Sequence, residues 1–188
     1  RRCAMSKGLK ILLLAAFALV MAQSAAYAIN PDTFVVRVLI RYLSVDVDDA
    51  KDDYDFGIVE LSSQNVSSDI TITNDGNAAE DFTLQITGSP ANLIVEEANA
   101  TPDDVDEYQL YANFDSDGVG ITWNYPQDLI LESAAKQTDV AFLGGDTTAN
   151  DVPAGESRDL YVMFYAPPSL SAGHPQQVIT VTVTAVAA

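Results

Sequence analysis

Over much of the chain, apolar and polar residues alternate in short runs cut by Gly, Pro, Asn and Asp. A period of two sends successive side chains to opposite faces of an extended backbone, so each run predicts a half-buried β-strand. The clearest are Ile70–Thr73, Asp81–Thr87, Arg158–Tyr165 and Gln177–Ala185. In the second, Phe82, Leu84 and Ile86 share one face; in the last, Ile179, Val181 and Val183 face inward and Thr180, Thr182 and Thr184 outward. Val, Ile and Thr dominate these runs, as suits a pleated surface buried on one side. Weaker strand patterns cover Phe56–Leu61, Leu93–Glu97, Tyr108–Phe114, Gly120–Asn124, Leu129–Glu132 and Asp139–Leu143.

Turn chemistry falls between the runs. Asn74-Asp75-Gly76-Asn77 supplies residues that tolerate positive φ, and the prolines of Val152-Pro153-Ala154-Gly155 and Ala166-Pro167-Pro168 sit in breaks, where no ladder bond is lost. Helical signal is thin. Gln127–Lys136 fits two helical turns, but Leu129-Ile130-Leu131 fits a buried strand equally well. About eight to ten short strands in a chain of this length predict an all-β fold, an antiparallel Ig-like Greek-key β-sandwich. A closed membrane barrel needs longer tilted strands with a lipid-facing band, which most of these runs are too short to supply.

The first segment has a different pattern. Lys7 and Lys10 precede an unbroken apolar run of 12 residues, Ile11–Ala22, followed by Ala26-Tyr27-Ala28. This is the layout of a cleavable signal peptide, residues 1–28, with Arg1–Ala4 reading as an upstream extension before Met5. The run falls short of the roughly 20 apolar residues a membrane helix needs, so no transmembrane anchor is expected after cleavage. The remaining residues, 29–188, are expected to form one sandwich in a secreted, extracellular, cell-surface or periplasmic setting.

Charge then narrows the partners. The whole chain carries 9 Lys+Arg against 27 Asp+Glu, a net charge of −18, and removing residues 1–28 leaves five basic residues and a charge of −22. Such a surface excludes nucleic acid, whose phosphates need basic groups. The single cysteine, Cys3, leaves with the leader, so residues 29–188 contain no thiol for a disulfide framework or a thiolate metal site.

The stretch Ile70–Leu84, ITITNDGNAAEDFTL, and the closing Val152-Pro153-Ala154-Gly155-Glu156, Arg158-Asp159-Leu160-Tyr161 and Thr-Val strand resemble small exported bacterial proteins made of one Ig-like sandwich. The likeness covers Phe56–Thr87 and Val152–Ala187. It implies a fold, and no functional residue carries over.

Residues 46–55 hold six aspartates, Asp46, Asp48, Asp49, Asp52, Asp53 and Asp55, a carboxylate density that calcium, with its six to eight oxygen ligands, would use. The EF-hand template fails, because Ala50 and Lys51 occupy its fifth and sixth positions, and a solvated acidic loop explains the segment as well. Asp103-Asp104-Val105-Asp106-Glu107 and Asp115-Ser116-Asp117-Gly118 read first as turns. His174 is the only histidine, and nothing near it marks a nucleophile, so no enzyme is expected. Trp123 is expected in the core; Tyr125 is left open between core and a sugar-stacking platform.

The most suggestive run is Thr33–Leu43, TFVVRVLIRYL. It puts Phe34, Val36, Val38, Ile40 and Tyr42 on one face and intersperses Arg37 and Arg41 on the other. A strand apolar on both faces belongs either to the centre of its own sheet or to the sheet of a neighbour, as in donor-strand complementation. The expectation is therefore a non-catalytic secreted structural protein, a surface, fibre or matrix subunit. Its partners would be further copies of itself (a homo-polymer) or other surface proteins, with residues 29–43 as a donor strand. The alternative is a secreted calcium- or carbohydrate-binding module, and calcium is the one cofactor in view.

Overall fold

Two β-sheets face each other across an apolar core. In this computed structural model residues 37–38, 40–49, 53–171 and 176–188 are described. The leader 1–28, Phe34, Val36, Lys51, Asp52 and His174 lie outside them. The chain divides into two compact units, Arg1–Leu39 and Ile40–Ala188. Of the first, Arg37 and Val38 are described, and both are exposed. The rest of the architecture belongs to the second.

Nine strands are described: β1 (Val45–Val47), β2 (Gln64–Val66), β3 (Ile70–Asn74), β4 (Glu80–Gly88), β5 (Ile94–Val95), β6 (Glu107–Phe114), β7 (Lys136–Gln137), β8 (Ser157–Tyr165) and β9 (Thr180–Ala187). The larger sheet runs β1-β3-β8-β6-β5, with β2 also on β8; the smaller runs β7-β4-β9. All pairings are antiparallel except β5 with β6. The chain crosses between sheets five times, at β3–β4, β4–β5, β6–β7, β7–β8 and β8–β9. The strands of the first and last crossings pair with each other in both sheets, β3 with β8 and β4 with β9.

The alternation reads directly as burial. Phe82, Leu84 and Ile86 of β4 face Ile72 of β3, Leu160 and Val162 of β8 and Leu110, Ala112 and Phe114 of β6, all buried. Burying one such large side chain stabilises the fold by about 1.5–3 kcal/mol, so this layer is the main source of stability. β6 is covered on its other face too. There Tyr111 packs with Leu129 and Met163, and half-buried Trp123, Tyr125 and Leu131 close the cluster. Trp123 therefore sits outside the inter-sheet core, on the outer face of the larger sheet. Leu129 bridges to Tyr111, which decides for an extended segment at Leu129–Leu131 over a helix.

Three local devices replace expected features. β2 and β3 share one edge of β8, kinked at Ser67, whose N–H donates to Val162 O while its Oγ accepts the Val162 N–H. No backbone group of Val162 is orphaned by the kink, which is why a small hydroxyl residue stands there. Gly76 is expected to serve a positive φ but does not adopt one. A Cβ there would collide with the Glu80 carboxylate and the Tyr42 carbonyl, so close approach is what requires glycine. The patterns at Phe56–Leu61, Gly120–Asn124 and Asp139–Leu143 form no strand; positive φ at Gly57, Gly120 and Phe142 breaks each one.

Candidate functional site

The run Thr33–Leu43 is the first place to look, and its described residues lie outside any strand. The expected continuous strand is corrected there: pairing begins only at Val45. The cause is Asn77. Its Oδ1 accepts the Tyr42 N–H at 2.9 Å, its Nδ2 donates to Ile40 O at 2.7 Å, and its N–H donates to Tyr42 O at 3.3 Å. One side chain thus takes backbone groups that a strand ladder would have used. Arg41 Nη2 donates to Ala79 O, Tyr42 Oη to Asp75 O, and Ser44 N–H to Glu80 Oε1. Glu80 is fully buried and its Oε2 has no hydrogen-bond partner among the described residues. Residues Ile40–Ser44 are thus stitched onto the β3–β4 turn by their backbone while their apolar side chains face water. Val38 is 76% and Ile40 78% exposed, and Tyr42 and Leu43 are exposed too.

The aspartates of 46–55 do not converge among the described residues. Asp46 stands on β1 opposite Thr73, Asp48 donates its N–H to Thr71 O, and Asp55 accepts the Gly57 N–H; Asp46, Asp48, Asp49, Asp53 and Asp55 are exposed. Three carboxylates do converge elsewhere. Oxygens of Glu96, Asp103 and Glu107 lie within 4.8 Å of one another. Burial raises the Glu107 pKa, and the charges of Glu96 and Asp103 add to the rise, against the N–H bonds from Asp104 and Asp103 that lower it. Each carboxylate has donors of its own: Glu96 Oε1 takes the Ala98 and Asn99 N–H groups, and Asn99 Nδ2 reaches Asp103. In the sequence Asp103 and Glu107 belong to an expected turn; Glu96 joins them because parallel pairing of β5 with β6 brings it alongside.

Two further acids are structural. Asp115 Oδ1 accepts the Asp117 and Gly118 N–H groups and its Oδ2 accepts the Asp146 N–H at 2.9 Å. Burial opposes ionisation of this side chain, but the three N–H bonds outweigh it and hold the carboxyl below its ordinary range. Asp128, fully buried, accepts N–H bonds from Asn113, Asn124 and Leu143. Beside Asp115 lies an open cleft of about 360 Å³ whose cation, Arg158, donates to Thr148 O and Ser157 O.

Of the aromatic pair, Tyr125 is held by its polar end and Trp123 by packing. Tyr125 Oη donates to Glu97 O, and Trp123 packs on the outer cluster of Tyr111, Leu129 and Met163. No protein-family model matches the chain, and no curated protein is significantly similar to it. Among the described residues no helix is long and apolar enough to cross a membrane.

Proposed function

We propose that this chain is an exported, non-catalytic structural subunit, an Ig-like Greek-key sandwich that self-assembles by donating its N-terminal strand. The observation that carries this reading is the exposed apolar run around Val38 and Ile40, rooted on the β3–β4 turn through backbone bonds at Asn77. Apolar side chains left in water on one face of an arm are recognition groups in search of a sheet. The non-sequential pairing of β3 with β8 in one sheet and of β4 with β9 in the other supports the Greek-key part of the reading. A calcium or carbohydrate module is the rival. It is the weaker reading because the converging carboxylates already accept backbone N–H groups of their own loop.

The test is light scattering and electron microscopy of residues 29–188 against concentration, with the double variant Val38→Asp/Ile40→Asp alongside. Both side chains are exposed, so the variant keeps its thermal unfolding midpoint and loses assembly. Monomers at every concentration in the unsubstituted protein would sink the reading.

A further inference from the structure

Resting on that reading, we infer that the acceptor of the donated strand is the free edge of β9 in a second copy of this chain. The edges of the described sheets are not equal. β1 has three residues, Asp46 among them, and runs into Asp48 and Asp49; β5 has two and runs into Glu96 and Glu97; β7 is Lys136–Gln137. Short, charged edges resist strand addition. β9 has eight residues, β4 as its one partner strand among the described residues, and no charge or proline from Gln176 to Ala188. Its inward row is also unfinished. Ile179, Val181, Val183 and Ala185 pack on the core yet stay half-buried, as do Val45 and Val47 of β1, which approaches β9 from the other sheet. On the protected side of β9, Phe82 and Leu84 are 0% exposed. A strand added to β9 would cover this row with one face and leave its other face beside Thr180, Thr182 and Thr184. The alternation of residues 33–43 fits, with Val38 and Ile40 on the covering face and Arg37 on the outer one. Charge selects the occupant. The run 33–43 has two cations and no acid, whereas residues 44–188 hold 26 acids and three cations.

Because residues 29–188 contain no cysteine, introduced thiols report pairing cleanly. Protein carrying Arg37→Cys is mixed with protein carrying Thr180→Cys, Thr182→Cys or Thr184→Cys, three positions that span the unknown register, and oxidised gently. A disulfide needs Cβ atoms about 4 Å apart, so only paired residues cross-link efficiently. A disulfide heterodimer several-fold above either homodimer for at least one mixture is the expected result. Thr182→Cys homodimers instead would mean that two β9 edges pair, and would overturn the proposal. So would a double variant, Arg37→Cys/Thr182→Cys, that oxidises within one chain and leaves monomers. Assembly by light scattering without any heterodimer overturns the acceptor while leaving strand donation standing. Absence of both assembly and cross-link removes donation and acceptor together. Unfolding midpoints of each single-cysteine form, measured reduced, verify that all are folded.

Discussion

Asp115 shows how a residue of this acidic chain is made structural. Its two carboxylate oxygens close a knot between the Asp115–Gly118 turn and Asp146 by accepting three backbone N–H groups. Asp115→Asn replaces one acceptor oxygen with a donor facing a donor, and leaves a nearly fully buried site partly unsatisfied. We expect a loss of about 2 kcal/mol at pH 7, read from urea unfolding. The folded-state pKa lies below the unfolded one, so the ionised side chain contributes stability above the unfolded value near pH 4 that is lost as pH falls through the folded one. The gap between the variant and the unsubstituted protein should therefore shrink at pH 3; a gap independent of pH would place the effect in packing and not in charge. The sequence shows Asp-Ser-Asp-Gly as a turn, but Asp146 is 31 residues away and only the fold brings its N–H to Asp115.

At the scale of elements, β4 and β9 make a controlled comparison. They pair along eight positions and share the same alternation, yet one is central and one is an edge. Phe82→Ala removes a side chain with no exposure, and should cost about 4 kcal/mol in urea unfolding of the monomer. Val183→Ala removes a half-buried one, and should cost about 1 kcal/mol in the monomer but more where assembly covers it. Equal costs in dilute and assembled protein would mean that nothing covers β9. The strands legible in the sequence were those with unbroken alternation: β3, β4, β8 and β9 appeared within three residues of their ends. Residues 108–114 of β6 read only weakly because both faces are buried, which blurs a period-two pattern. Short β2 and β7 left no local signal, since their existence depends on distant partners in β8 and β4. The apolar run 33–43 was visible as unusual. That Asn77 would anchor its end was not, because the contact spans 35 residues and is made by an amide that reads as turn chemistry.

For the whole molecule, the balance of charge decides how copies meet. Residues 29–188 carry −22, so two such bodies repel, while the proposed donor run contributes only two cations to the attraction. Repulsion between many like charges outweighs the few favourable pairs until salt screens it. The Debye length falls from about 30 Å at 0.01 M to about 8 Å at 0.15 M, so screening acts first on the longer-range body–body term. The strand contact itself, apolar and backbone-bonded, is affected least. Assembly followed by light scattering should therefore strengthen as sodium chloride rises across that range, and calcium chloride at matched ionic strength should act alike. Weakening with salt would mean that Arg37 and Arg41 dominate the encounter and that the excess acid is incidental to it. A calcium effect well beyond the matched sodium series would identify a specific ion among the carboxylates. The Glu96–Asp103–Glu107 group, where burial and, after it, the charges of Glu96 and Asp103 raise the Glu107 pKa, is the place to substitute next. Loss of the calcium excess in Glu107→Gln, with the sodium response intact, would separate ion binding from screening in a single pair of titrations.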